Sequence, residues 1–346
     1  MGDMAAIRAA EAAADKVAAL AGTWRQTGAA GDLLRLRDER IRAGAVVDAA
    51  LDTAWGDRHA EPAPPDLFRP APGALPDIAL SALTPDTLAS AMHHHGALIV
   101  RGFFTPRAAL DFRTDIDAVL AALQGYLDAR AEGREDDRPT SQKTLFQPVP
   151  KSGGLHKGAA TAFLGMSGAV GTMLSPLVSQ RLLDRFETLG LRGLLQGYFR
   201  DEPCLSFYKS VLRRAEPLQH PAEWHQDGAF MDAGIDSLNL WVALSTCGAG
   251  TDSPGMDLVP QRLRHIVQPG TNGALFKWSV SGATVAEDFA GPLARPRFEA
   301  GDALFFDHFN LHATSSAPEF TRARYAIETW FFPKSRCAVN QIPVLW

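Results

Sequence analysis

Cysteine is scarce in this chain: Cys204, Cys247 and Cys337 are the only three, and no two of them form a CxxC pair. Three widely spaced thiols build neither a disulfide framework nor a zinc knuckle, so a reducing cytoplasm is the expected setting. Long apolar runs are also missing, since no stretch approaches the roughly 18 uncharged residues that a membrane-spanning helix needs. The first twenty residues are alanine-rich but carry Asp3, Arg8, Glu11, Asp15 and Lys16, which interrupt any signal-peptide core. Ala6 stands where a myristoylation site wants Ser or Thr. A basic excess is lacking as well: Lys and Arg number 34 against 39 Asp and Glu, a net charge of -5, so phosphate backbones find no counter-charge and nucleic acid is not an expected partner.

What is present is apolar material. A hydrophobic content of 46% with 21% charged residues is enough to bury a large core. The length of 346 residues suits one catalytic unit with an N-terminal addition. Residues 4 to about 21 and 31 to about 53 favour helix, broken at Gly22, Gly28 and Gly31, and make residues 1–60 a helical extension. Residues 61–77, EPAPPDLFRPAPGALPD, read as a linker or strap, leaving 78–346 as the main domain. Within it, Thr84–Ala91 reads as a capped helix, ALIVRGFF after Gly96 as a buried strand, and 106–130 as a further helix. The polar, Gly- and Pro-rich stretch 131–160, with His156 and Lys157, is expected to be a lid.

From Pro203 onward the pattern changes to short β-favouring runs: CLSFYKSVL, SLNLWVALS, GMDLVP, RHIVQP, ALFFD and RYAIETWFF. Short strands without intervening helices predict a sandwich or jelly roll, so the fold class is mainly β with flanking helices. In EWHQDGAFMD, His225 and Asp227 are separated by one residue and share a face of an extended chain. His312 follows an apolar run in GDALFFDHFNLHATSS. Two histidines and one carboxylate leave half an octahedron open, as Fe(II) requires when it takes a bidentate co-substrate and O2. An HxD pair by itself is common, and an interior histidine is most often structural. Arg324 in TRARYAIETWFF adds a guanidinium suited to the distal carboxylate of a 2-oxo diacid; Arg322 competes with it, and alternation puts both on one face. His308 competes with His312 in the same way. Consecutive side chains cannot converge on one ion, so His93, His94 and His95 are read as structural. Phe230 and Met231 are read as pocket lining or core.

These segments resemble the phytanoyl-CoA dioxygenase-like branch of the Fe(II)/2-oxoglutarate oxygenases. WHQDGAF is similar to the family's HxD segment, SLNLWVAL to the strand after it and GMDLVP to its turn. GDALFFDHFNLHATS is similar to the distal histidine segment and RYAIETWF to the arginine strand. HHHGALIVRGFF resembles the family's opening strand. VPQRLRH departs from the family's usual Gly-Ser-His, and the spacing from His312 to Arg324 is about one residue longer than usual. The resemblance implies a double-stranded β-helix (jelly roll, cupin-like) core, iron held by His225, Asp227 and His312, and 2-oxoglutarate held by Arg324. It implies a hydroxyl from Thr314 on the same carboxylate and a pocket wall at Trp241, with Asn239 sharing its face and Tyr208 on the preceding strand. Asp227 stands where halogenating relatives carry a small residue.

The implied activity is hydroxylation of a small molecule of secondary metabolism, with conversion of 2-oxoglutarate and O2 to succinate and CO2. Desaturation, cyclisation and epimerisation share its cofactors. Two readings of other classes compete: a metal-dependent hydrolase, against which HExxH is absent, and a non-catalytic jelly-roll binding protein, for which the full ligand set is superfluous.

Overall fold

The computed structural model describes residues 4–50, 63–134, 136–149, 168–217, 223–231, 235–289, 291–337 and 341–345. His156, Lys157 and the second part of the expected lid lie outside them. Helices α1 (Met4–Thr27) and α2 (Ala30–Ala50) pack together through Val17, Ala21, Leu36, Ala43 and Val47. The strap over residues 63–76 is fastened by the histidine run: His94 Nε2 lies 2.7 Å from the Pro64 carbonyl and His95 Nε2 lies 3.0 Å from Asp66 Oδ1. Those histidines belong to α3 (Pro85–His94) and its C-terminus, a helix capped at Thr84 by reciprocal bonds with Thr87.

After α3 come β2 (Ala97–Arg101), which pairs in parallel with β1 (Asp77–Ala79), then α4 (Pro106–Ala131) and α5 (Thr140–Leu145). Residues 136–149 are packed in place, with Phe146 buried beside Tyr126. Beyond β3 (Ala169–Gly171), two helices appear that the expectations above omit: α6 (Pro176–Thr188) and α7 (Leu191–Phe199). Their signal is present in the chain. Ser175 accepts from the Val178 amide, Pro176 occupies the first turn, and Val178, Leu182 and Phe186 recur at helical spacing.

The remaining strands are β4 (Pro203–Ser206), β5 (Val211–Ala215), β6 (Trp224–His225), β7 (Leu238–Ala243), β8 (Cys247–Gly248), β9 (Met256–Leu258), β10 (Ser279–Val280), β11 (Arg297–Phe298), β12 (Ala303–Asp307), β13 (His312–Thr314), β14 (Arg324–Pro333) and β15 (Pro343–Val344). A nine-stranded sheet runs β1-β2-β12-β7-β14-β4-β15, with β5 on the first half of β14 and β3 on β5. A four-stranded sheet runs β10-β6-β13-β9. CLSFYKSVL is thus two strands, because residues 207–210 loop out between β4 and β5. RHIVQP is not a strand at all: the amide of Val267 is satisfied by a side chain, Gln226 Oε1 at 2.7 Å, rather than by a ladder.

Alternation divides the long sheet cleanly. Its outer face, with Leu98, Val100, Leu238, Leu240, Val242, Phe305, Ile327 and Phe331, packs under α3, α4, α6 and α7 in the main core. Its inner face carries Ile99, Trp241, Leu304, Phe306 and Ala326, which meet Met256 and Leu258 of β9 in the short sheet. On the far side of the short sheet, Trp224, Val280 and Ala313 are covered by Val259, Leu263, Val267 and Val285. His225, His312 and Thr314 alternate with Trp224 and Ala313, so they project into the space between the sheets. Among the described residues, no helix is long and apolar enough to cross a membrane.

Candidate metal centre

His312 stands directly opposite His225 in the antiparallel register of β13 and β6, which places the two side chains on one face. Their ring centroids are 4.4 Å apart. Asp227, two residues beyond His225, lies between them: Oδ1 is 4.0 Å from His225 Nε2 and Oδ2 is 3.9 Å from His312 Nε2. One donor atom from each of the three residues lies within 4.8 Å of the others, and among the described residues no other group of three His, Cys, Asp or Glu side chains is so placed.

The far ring nitrogens settle the tautomers. His225 Nδ1 is 3.3 Å from the Glu223 carbonyl and His312 Nδ1 is 3.1 Å from the Asn310 carbonyl. A carbonyl only accepts, so each Nδ1 carries the proton and each Nε2 presents a lone pair to the carboxylate. Burial lowers both histidines, His225 well below the ordinary value with the neighbouring His312 adding to the effect. Burial also pushes the Asp227 carboxyl up to about 8, with Lys209 and Arg213 pulling it down and Glu328 pushing it further up. Oδ2 of Asp227 is buried without a hydrogen-bond partner. Three converging acceptors, one of them an orphaned carboxylate oxygen, repel each other until a cation sits among them, so the donor set fits a divalent metal.

The intervening side chain secures this turn. Gln226 points the other way and donates to the carbonyls of His265 (2.9 Å) and Phe309 (2.7 Å) while accepting from Val267. It therefore ties β6 to the loop that leads into His312. Gly228 follows, and its amide donates to the His308 carbonyl at 3.0 Å. A Cβ there would meet Ile266 Cδ1 at 2.7 Å and His308 Cδ2 at 3.0 Å, so this close approach needs glycine. His308 is buried beside Phe309 and is not one of the three converging donors.

Arg324 opens β14 and is buried. Its Nη1 donates to the Gly255 carbonyl at 2.7 Å, its guanidinium lies 5.4 Å from the Trp241 ring, and its Nε is buried without a partner. Burial lowers its pKa to about 10. Arg322 is two-thirds exposed and lies 3.6 Å from Asp252, so the fold separates the two arginines. Arg322 precedes the strand, where alternation has no force. Trp241 is buried edge-on to Phe298, and Asn239, two residues earlier on the same face, is buried with neither amide atom hydrogen-bonded. Asn239 pairs across the sheet with Phe306 and Trp330, and Phe306 abuts the His312 ring at 4.7 Å. Thr314 lies half-buried on β13. Tyr208 is not on a strand: β4 ends at Ser206, whose hydroxyl accepts from the Lys209 amide and turns the chain out.

Lys209, Arg213 and Glu328 also act on the centre, although no motif marks them. Glu328 shares its face of β14 with Arg324, and Arg213 lies 3.6 Å from it. The signal for Glu328 is the single carboxylate in the largely apolar run RYAIETWFF.

No protein-family model matches the chain, and no curated protein matches it. Similar solved structures include the non-haem α-ketoglutarate-dependent epimerase SnoN from nogalamycin biosynthesis, at 16% identity over 72% of this chain and 82% of that one, with a TM-score of 0.45. SnoN in complex with Fe3+, α-ketoglutarate and nogalamycin RO matches at 18% identity over 72% and 83%, also at 0.45. The carbocyclase SnoK matches at 16% over 70% and 81%, at 0.42. Similarity this loose decides neither fold nor function, and the weight falls on the site's own geometry.

Proposed function

We propose that the chain is an Fe(II)/2-oxoglutarate-dependent oxygenase that hydroxylates a small molecule, built on a double-stranded β-helix whose two sheets face each other across the metal. The observation that carries this reading is the buried Asp227 carboxylate, whose Oδ1 faces His225 Nε2 and whose unpartnered Oδ2 faces His312 Nε2. These three residues would hold the iron, and three protein ligands leave open positions for a chelating co-substrate and O2. When bound, iron and 2-oxoglutarate supply the oxidising chemistry, with the oxo acid leaving as succinate and CO2 and one oxygen atom passing to a substrate C–H bond.

Arg324 anchors the co-substrate. A guanidinium fixed by Gly255 and backed by Trp241 still has its Nε unspent, and a carboxylate is the acceptor that suits it in a buried site. Thr314 offers a hydroxyl from the strand that carries His312, Asn239 offers both an amide donor and an acceptor, and Tyr208 offers a phenol from the loop between β4 and β5. Phe306 and Trp330 exclude water behind His312. A hydrolytic zinc site would use the same triad but would leave the buried Arg324 without a task, and a binding protein would have no use for the orphaned carboxylate. Desaturation, cyclisation and epimerisation begin from the same arrangement, with hydroxylation the simplest outcome.

Anaerobic titration of Fe(II) with 2-oxoglutarate tests the reading through the weak visible charge-transfer band of the chelate. Wild type should develop the band, Asp227→Ala should lose it with iron affinity at least about a hundredfold weaker, and Arg324→Ala should require far more 2-oxoglutarate. A folded, iron-loaded wild type without the band would overturn the assignment.

A further inference from the structure

Of the three converging donors, His225 forms the open edge. The His225 side chain is 25% exposed, whereas those of Asp227 and His312 are 5% and 7% exposed. Around that open edge stand three aromatic rings from two separate segments. Trp278 meets His225 edge-on at 5.6 Å and 81°, and Phe230 lies 6.3 Å from it at 29°. Phe230 and Trp278 are perpendicular, 5.8 Å apart at 89°, while Phe276 stacks on Trp278 at 4.9 Å with the planes parallel to 1°. Phe230, Leu275 and Phe276 are three of the seven large hydrophobic side chains exposed among the described residues, and Leu275 reaches 75%. Apolar surface gathered in one place beside a reactive centre marks a contact surface, whereas scattered single residues would not.

The patch is also held in position. Glu223, two residues before His225, accepts from the Leu275 amide at 3.0 Å and from the Ser279 hydroxyl at 2.6 Å. The same hydroxyl accepts from the Phe276 amide at 3.1 Å, and Ser279 pairs with His225 across β10 and β6. On the other side, Lys209 Nζ sits 3.8 Å from the centre of the Phe230 ring. The rings form a corner, with parallel faces along one wall and a perpendicular ring as the other. Such a corner has offset-stacked and edge-to-face positions for one more flat ring, and a compact aliphatic group can use neither.

We infer that Phe230, Phe276 and Trp278 form a substrate subsite for a flat, fused aromatic ring system, seated at the open edge of the metal centre. This rests on the reading of the triad as the reacting centre. It narrows the substrate class from any small molecule to a conjugated, planar one. The substrate's apolar face lies on the aromatic corner, and its reacting carbon is presented past His225.

Two acids of equal charge and unlike shape test the inference: planar anthracene-9-carboxylate and the cage-shaped adamantane-1-carboxylate. Each is titrated calorimetrically into the iron-free full chain, and separately the Fe(II)–2-oxoglutarate band is recorded without either acid. The planar acid should bind at least about tenfold more tightly than the cage. Trp278→Leu and Phe276→Leu should each remove about tenfold of its affinity, the effect of losing one stacking partner, while both variants keep the band and so are folded. Equal affinity for the two acids, no binding of either, or undiminished binding in both leucine variants would overturn the subsite. Absence of the band in wild type, with the planar preference intact, would instead sink the oxygenase assignment and leave a ring-binding surface.

Discussion

The two sheets that face each other across the centre are built differently. The long sheet contributes strands of up to ten residues, and helices cover its outer face with fully buried Phe186, Phe199, Phe305 and Phe331. The short sheet carries two of the three candidate metal donors on strands of two or three residues, and His225 and His312 form the one register pair between β6 and β13. A ladder that short cannot fix a geometry by backbone pairing. Side chains do so instead: Gln226 spans three backbone groups, Glu223 holds the 275–279 segment, and Arg295 binds Asp257 of β9 through both oxygens at 2.6 and 2.7 Å. Stability therefore resides in the long sheet and its helices, while ligand geometry resides in polar clamps on the short one.

The largest expected effect breaks the first half of that division. Phe331 is fully buried on the outer face beside Phe186, with centroids 5.9 Å apart, and faces away from the metal. Phe331→Ala should destabilise the protein by about 3–5 kcal/mol, because the cavity cannot collapse between sheet and helices. Chemical denaturation measures the loss, and Fe(II) affinity of the fraction still folded should stay within a factor of two or so of wild type. A large fall in that affinity would mean the two sheets are not separable in this way.

Gln226→Ala attacks the other half. Two part-buried carbonyls and the buried Val267 amide lose their partner, which costs about 1–3 kcal/mol in stability. Iron affinity should fall further, by about 10–100-fold, since the substitution frees the turn that aims His225 and Asp227 without removing either. If denaturation and iron titration show equal losses, Gln226 is only a structural contact.

How well each feature could be read beforehand follows the same division. Period-two alternation suffices to put His225 and Asp227 on one face, and β-favouring composition marks β7, β12 and β14 in SLNLWVALS, ALFFD and RYAIETWFF. It fails where residues are not in strands. Alternation alone cannot separate Arg322 from Arg324, and the fold does so by leaving Arg322 exposed before β14 begins. Tyr208 was placed on a strand for the same reason, and RHIVQP looked β-like although a side chain takes its amide. Helix α6 carries visible capping at Ser175 and helical periodicity that a strand-oriented reading passes over, whereas α7 starts at Gly190 with no side-chain cap. The aromatic corner had no local signature, because Phe230 and Trp278 are 48 residues apart and meet only through the pairing of β6 with β10.

A pH effect separates the clamped site from the scaffold as well. The Asp227 carboxyl titrates near 8 in the folded, metal-free chain against an ordinary value of 3.8, because burial disfavours its charge. Between those values the folded state holds a proton that the unfolded state has released, so this group's contribution to stability falls as pH rises toward 8. His225 and His312 act with the opposite sign, and their contribution is complete once pH exceeds the unfolded value of 6.5. From pH 6.5 to 8 the metal-free wild type should therefore lose thermal stability while Asp227→Asn does not. Over the same window Fe(II) affinity should rise by about tenfold per pH unit, as binding displaces one proton. Parallel melting curves for the two proteins would count against the raised carboxyl.

The smallest expected effect is the sharpest control on the arginine assignment. Arg322 lies within 3.6 Å of Asp252 but is two-thirds exposed, and an ion pair between exposed partners contributes about 0–1 kcal/mol. Its backbone amide, bonded to the Asp252 carbonyl at 3.0 Å, is unaffected by a side-chain change. Arg322→Ala should leave melting temperature, iron affinity and the 2-oxoglutarate requirement indistinguishable from wild type, in contrast to Arg324→Ala. A raised 2-oxoglutarate requirement in Arg322→Ala would transfer the anchoring role to the outer arginine and, with it, require the segment before β14 to turn inward when the co-substrate binds.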